Sequence, residues 1–150
     1  MYAKILVPID GSDTALLGLN QAIELAKNQH SKIRLMHVVN ETVVVDAMAV
    51  NLTVISERLR KSGEALLGQM ASLVRDAGVE VDTVLEEALG GQAGPRIVEQ
   101  ATKWRADLIV CGTHGRRGIQ RIVMGSDAEY IVRHTPVPVL LVRSREPVAK

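Results

Sequence analysis

The sequence predicts an α/β fold: an open, parallel, five-stranded sheet with helices on both faces. Two observations predict it. Five short β-like runs alternate with four helical patterns in strict β-α-β-α order, the signature of parallel strands joined by crossover helices. The runs are also nearly continuous in apolar residues, as strands buried on both faces must be. A length of 150 residues, 47% of them hydrophobic, suits a packed domain. Residues 1–150 are therefore expected to form a single domain, with no linker, repeat or low-complexity segment.

The first run, residues 3–9 (AKILVPI), is short, apolar and β-branched. Ala15, Leu16, Leu19, Ala22, Ile23 and Ala26 then recur at helical spacing, with Ser12 placed to cap them. Residues 32–39 (KIRLMHVV) read as the second strand. Residues 40–53 are apolar, through Val43, Val44, Val45, Met48 and Val50, yet keep neither period. A long helix over about 53–77 follows. Leu59, Leu66, Met70, Leu73 and Val74 mark its inner face, and Gly78 stands where a glycine ends a helix. Residues 79–85 alternate polar and apolar as a third strand. Gly90, Gly91 and Gly94 make the next loop flexible, and a helix over about 95–104 carries Pro95 in its first turn. Residues 107–112 (DLIVCG) are almost wholly apolar and read as a central strand. A long loop leads to a helix over 126–134, where Ser126 and Glu129 have the spacing of a capping box. Residues 137–142 give the last strand.

Composition narrows the function. A formal net charge of +1 creates no global field to recruit nucleic acid or a membrane surface, so any anion site must be local. Cys111 is the only cysteine, which excludes an internal disulfide and fits a reducing compartment. Residues 1–4 run into the first strand without a leader pattern, and no apolar run approaches the roughly 18 residues of a membrane span. A cytoplasmic protein without membrane insertion is expected. With no Phe, one Trp and two Tyr, the chain lacks the stacking platforms of single-strand nucleic-acid binders. An adenine here would need aliphatic walls and backbone hydrogen bonds.

In open α/β sheets, ligands bind beyond the carboxyl ends of the strands, where the strand order reverses. Two strand ends stand out: Pro8-Ile9-Asp10-Gly11-Ser12 and Gly112-Thr113-His114-Gly115. The loop over 113–124 is far longer than the usual 2–6 residues. It carries Gly115, Arg116, Arg117, Gly118 and Arg121, and it runs into Gly125-Ser126 at a helix start. Glycine lets a backbone N–H approach a phosphate oxygen closely. Successive amides form an anion nest, and a helix N-terminus adds free donors. Each feature also has a structural reading: Gly112 and Gly115 as a tight turn, Ser126 as a cap. Together they favour a phosphate site. Neither the P-loop pattern nor G-x-G-x-x-G occurs, which argues against a P-loop or dinucleotide-binding enzyme.

Gly112-x2-Gly115-x9-Gly125-Ser126 resembles the ATP-binding motif of the universal stress protein family. The opening KILVPIDGS and the closing VPVLLV are similar to that family too, so the resemblance covers the whole chain. It implies an adenine nucleotide alpha-hydrolase-like sheet ordered 3-2-1-4-5. It also implies a homodimer in which the last strands, Val137 to Val142, pair antiparallel. By position, Pro8, Ile9 and Asp10 would line the nucleoside pocket, with Asp10 accepting from ribose or base. Val38 would offer backbone groups to the adenine. Gly112, Gly115, Gly125 and Ser126 would hold ribose and phosphates, with Thr113 and His114 inside the motif. Asp127 stands where several nucleotide-binding members carry an apolar or hydroxylated residue. It would repel a γ-phosphate, help hold Mg²⁺ or, as an N1 residue, favour the helix dipole; the helix role is put first. The implied ligand is ATP, or ADP or AMP, with Mg²⁺ as a companion of the phosphates.

No catalytic set is evident. Asp10, His114 and Ser126 do not form a hydrolase triad, and no nucleophile elbow is present. His30 and His134 lack metal-ligand spacing. His37 reads as a packed strand residue, Cys111 as core, and Trp104 as helix-end packing. The expected function is a nucleotide-responsive regulator in stress response, acting through an unidentified protein partner. Two other readings stand beside it. One is a slow ATPase or autophosphorylating protein, with Ser126 or Thr113 as acceptor and Asp10 beside the metal. The other is a nucleotide-independent, chaperone-like dimer that uses residues 43–52.

Overall fold

The computed structural model describes residues 1–40, 52–88, 91–113 and 124–144. Five strands form one sheet in the order β3-β2-β1-β4-β5. They are β1 (Lys4–Pro8), β2 (Lys32–Asn40), β3 (Glu80–Ala88), β4 (Leu108–Gly112) and β5 (Val139–Val142), and all neighbours are parallel. β1 is the middle strand. Its Ile5, Leu6 and Val7 have no exposed surface, because one face points into each core. β4, expected to be central, is also interior and lies between β1 and β5.

Four helices cover the two faces: α1 (Asp13–Gln29), α2 (Leu52–Asp76), α3 (Ala93–Trp104) and α4 (Ser126–His134). On one face Leu19, Ala22, Ile23 and Ala26 of α1, with Leu67, Ala71 and Val74 of α2, pack on Ile5, Val7, Ile33, Leu35 and Val110. On the other, Ile97 and Ala101 of α3 and Ile131 of α4 pack on Leu6, Met36, Ile109 and Cys111. Each fully buried Leu, Ile or Val stabilises the fold by about 1.5–3 kcal/mol. The Ser12 hydroxyl caps α1 by accepting from the Ala15 amide at 3.2 Å. α2 ends as its glycine predicts. Gly78 has φ +79°, its amide reaches the Arg75 carbonyl at 2.8 Å, and the Val79 amide reaches the Val74 carbonyl at 3.2 Å.

The element bounds shift where pairing overrides local pattern. β3 continues to Ala88 rather than stopping near 85, because every β2 residue from Lys32 to Asn40 finds a partner on it. β5 starts at Val139 rather than Val137. Pro136 and Pro138 have no N–H to give a ladder, and the Val137 amide turns to the Thr135 hydroxyl at 3.2 Å. The apolar 41–51 stretch lies outside the described residues. Among the described residues, no helix is long and apolar enough to cross a membrane.

Candidate functional site

The order β3-β2-β1-β4-β5 reverses direction between β1 and β4, so a crevice opens above their carboxyl ends. The β1 side is held by a chain of hydrogen bonds. The Ile9 amide donates to the Met36 carbonyl at 2.8 Å. Nδ1 of the buried His37 lies 2.7 Å from the Ile9 carbonyl, which can only accept, so Nδ1 carries the hydrogen. His37 is thus the packed strand residue the sequence predicts, and it also fixes the end of β1. Gly63 of α2 makes room for its ring: a Cβ there would stand 2.6 Å from His37 Cδ2. Past Ile9, the Ser12 amide donates to Asp10 Oδ1 at 2.8 Å, and Gly11 takes φ +83°. This Asx turn sets both the Asp10 carboxylate and the start of α1. The β1–β2 ladder ends at the Pro8–Met36 pair. In a parallel strand, alternate residues direct their amide and carbonyl to the same side. Val38 therefore aims both towards the space where β1 has ended.

The β4 side is tied even more closely. Gly112 lies under the start of α1, and a Cβ on it would meet the Thr14 carbonyl carbon and Oγ1 at 2.8 Å. Gly18 of the same helix also faces Gly112 and Cys111, at a distance that leaves ordinary room for a Cβ. The Thr113 amide donates to the Val142 carbonyl at 3.0 Å, and its carbonyl accepts from the Gly125 amide at 2.6 Å. One residue thus links β4, β5 and the start of α4. Its own hydroxyl is buried without a hydrogen-bond partner among the described residues, although such a group costs about 1–3 kcal/mol when left unsatisfied. Cys111, one residue before Gly112, is core as expected, and burial pushes its thiol up to about 12.

The expected capping box at Ser126 and Glu129 does not form. Gly125 is the N-cap and makes no side-chain cap bond; Ser126 is the first helical residue and is exposed. Glu129 pairs with Arg133 at 2.9 Å instead. The reason is tertiary: the Thr113 carbonyl holds the Gly125 amide and so places Gly125, not Ser126, at the boundary. The Glu129 amide starts the helical ladder by donating to the Gly125 carbonyl at 2.9 Å. The amides of Ser126, Asp127 and Ala128 have no acceptor within the helix. A glycine cap leaves no side-chain oxygen to compete for them, so the end of α4 suits an anion. Gly125 contributes conformation, since its own amide is committed to Thr113.

Asp127 is the second residue of α4 rather than N1, and its Oδ1 accepts from the Gly94 amide at 2.9 Å. Gly94 is in the first turn of α3. Asp127 thus meets the start of a neighbouring helix, 33 residues away in sequence. The strand order sets Pro8, Ile9 and Asp10 beside Gly112 and Thr113, with Val38 on the neighbouring β2, and the Thr113 carbonyl brings Gly125 and the start of α4 to them, whereas the Asp127 carboxylate turns to Gly94 of α3. His114 and Gly115 lie outside the described residues, as do Arg116, Arg117, Gly118 and Arg121. The sequence does not mark His37 and Thr14 as neighbours of these strand ends. The KIRLMHVV pattern marks His37 only as a strand residue, and Thr14 is a neighbour only because Gly112 is bare. Among the described residues, no three His, Cys, Asp or Glu side chains cluster to hold a metal ion.

Comparison with known proteins adds an independent line. The profile of the Universal stress protein family matches residues 1–143. Universal stress protein MJ0531 of Methanocaldococcus jannaschii is 37% identical over 144 residues, which is 95% of this chain and 83% of that one. A universal stress protein family structure from Burkholderia pseudomallei superposes with a TM-score of 0.78 at 29% identity, covering 95% of this chain and 97% of that one. The universal stress protein from Archaeoglobus fulgidus, solved in complex with dAMP, gives a TM-score of 0.66 at 23% identity, covering 94% and 98%.

Proposed function

The chain belongs to the universal stress protein family, and on that premise we propose that it binds an adenine nucleotide above the carboxyl ends of β1 and β4. The observation that carries this reading is the start of α4. Its N-cap is a glycine that makes no side-chain cap bond, and the Thr113 carbonyl ties that glycine to the end of β4 at the switch point of the sheet, where the Thr113 hydroxyl is buried without a partner among the described residues. Helix-end amides take phosphate oxygens. The proposed ligand class is supported by the Archaeoglobus protein, which is in complex with dAMP.

In this reading the nucleoside lies against Pro8, Ile9 and Asp10, with the adenine edge on the backbone of Val38. The ribose and phosphates lie against Gly112, Thr113, His114, Gly115 and the Gly125-Ser126 turn. The ligand is ATP, ADP or AMP, with Mg²⁺ accompanying the phosphates. Occupancy alters the surface offered to a regulatory partner, so the protein acts as a nucleotide-responsive regulator in stress response, as one domain in the cytoplasm. A second copy pairs along Val137 to Val142. Support for this pairing comes from β5 being an edge strand with Leu140 exposed, beside a groove of about 370 Å³ that Leu17 and Leu141 also line.

Calorimetric titration of the full chain with ATP, ADP and AMP, with and without Mg²⁺, tests the reading. Saturable one-site binding that Gly115→Val abolishes is the expected result. Absence of binding by the wild type, or equal binding by the variant, overturns it.

A further inference from the structure

We propose that Asp127 is a positioning residue for the phosphates: its carboxylate, bound to the Gly94 amide, holds the first turn of α4 in the orientation that offers its free amides to the ligand. The inference rests on the nucleotide-binding reading and deepens it.

α4 has nine residues, too few for an isolated helix to be stable, and its N-cap supplies no side-chain bond. Its direction must therefore come from outside. The Gly125–Thr113 hydrogen bond fixes one point, at the entry of the helix. Asp127 and Tyr130 fix the other. They are three residues apart and so share one side of the helix, and both meet the same residue of α3. The Asp127 carboxylate takes the Gly94 amide at 2.9 Å, while the Tyr130 ring fills the space a Gly94 side chain would need, with Cβ 2.8 Å from that position. Gly94 is thus clamped by one hydrogen bond and one packed ring. The carboxylate also lies in the first turns of two helices at once, its own and that of Gly94. An oxygen engaged in this way orients the amides of Ser126 and Ala128 without touching the ligand. A direct ligand to Mg²⁺, or a charge repelling a terminal phosphate, would behave differently on neutralisation.

The test is calorimetric titration of adenosine, AMP and ATP, each with and without Mg²⁺, into the wild type, Asp127→Asn, Asp127→Ala and Glu129→Gln. Asparagine keeps the acceptor oxygen, so Asp127→Asn should stay within about twofold of wild type for all three ligands. Asp127→Ala should lose about fivefold for AMP and ATP and nothing for adenosine. Glu129→Gln, which removes an acid from the same turn without touching Gly94, should match wild type. Several results overturn the proposal. Tighter ATP binding by Asp127→Asn would mean charge repulsion. Loss of only the Mg²⁺-dependent part would mean a metal ligand. Equal losses for adenosine and ATP in Asp127→Ala, or no loss at all, would leave no positioning role. Should Asp127→Ala fail to fold, Asp127→Asn still decides between positioning and direct contact. If the wild type bound none of the three, the nucleotide reading itself would fall, an outcome distinct from any pattern among the variants.

Discussion

Thr14 occupies the place a side chain on Gly112 would take, with its carbonyl carbon and Oγ1 both 2.8 Å from that point. The glycine that opens the motif is therefore needed for α1 to reach β4, before any ligand is considered. Gly112→Ala should push the backbone of α1 and cost about 1–3 kcal/mol. Gly18→Ala is the contrast. Its Cβ would meet Gly112 N at 3.5 Å, an ordinary contact, and removing a helical glycine should stabilise by up to about 1 kcal/mol. Urea midpoints at unchanged m-value measure both. Equal stability of Gly112→Ala and wild type would refute the packing role.

Cys111 should be inert in the native protein. Burial raises its thiol from 9.0 to about 12, so at pH 8 only about one molecule in ten thousand carries the thiolate. A thiol reagent at pH 8 should react at the rate of unfolding, and stoichiometrically in urea. The sign of the linkage follows. The folded form holds the proton more tightly than the unfolded chain. The contribution is therefore complete below pH 9 and is lost as pH rises from about 9 towards 12, by about 1.4 kcal/mol per unit. The stability difference between wild type and Cys111→Ala should narrow or reverse over that range. Fast labelling of the native protein would contradict the burial.

Arg34 grips Asp82 with two nitrogens, at 2.6 and 2.9 Å, and its guanidinium lies 4.4 Å from the centre of the Trp104 ring. The Arg34 hydrogen bond, more than the neighbouring Lys32, holds the Asp82 carboxyl below its usual range. Its stabilising contribution is present above the unfolded value of 3.8 and is lost as pH falls through the lower folded value. Both groups are partly solvated, so Asp82→Asn should cost at most about 1 kcal/mol at pH 7. That cost should vanish in acid. Trp104 is the only tryptophan, so its emission should shift in Asp82→Asn at pH 7. A cost that persisted unchanged at pH 2 would show that charge was not its origin.

How far the sequence could be read depended on whether a signal was local. AKILVPI and DLIVCG announce two-faced burial by themselves, and Gly78 ends a helix by its own conformation, so strands, helices and their alternation were legible. The sheet order came through the family resemblance, and it sets the two strand ends singled out in the sequence side by side. The start of α4 was not legible. Ser126 and Glu129 satisfy the capping pattern, yet the Thr113 carbonyl takes the Gly125 amide and moves the boundary by one residue. Asp127 with Gly94, and Thr14 under Gly112, are partners that no periodicity reveals. Each depends on how two elements settle together in space.

His37 and Gly63 form one such pair, and their coupling can be measured. Exchanging a helical glycine for alanine ordinarily gains about 1 kcal/mol. At Gly63 the new Cβ would meet His37 Cδ2 at 2.6 Å and Leu85 Cδ1 at 2.8 Å. The Leu85 methyl ends a flexible side chain and can turn aside. The His37 ring cannot, because its Nδ1 is held on the Ile9 carbonyl at 2.7 Å. Overpacking of this kind costs about 1–3 kcal/mol, so Gly63→Ala should destabilise the wild type. In a His37→Ala background the ring is gone and Leu85 has room. There Gly63→Ala should recover the helical gain and stabilise, although His37→Ala alone should be costly because it strips the Ile9 carbonyl of its donor. A double-mutant cycle should therefore give a favourable coupling of about 1–3 kcal/mol. If Gly63→Ala carried the same cost in both backgrounds, His37 would not be the obstacle. The end of β1, and the Asp10 turn that follows it, would then not depend on α2 for their position.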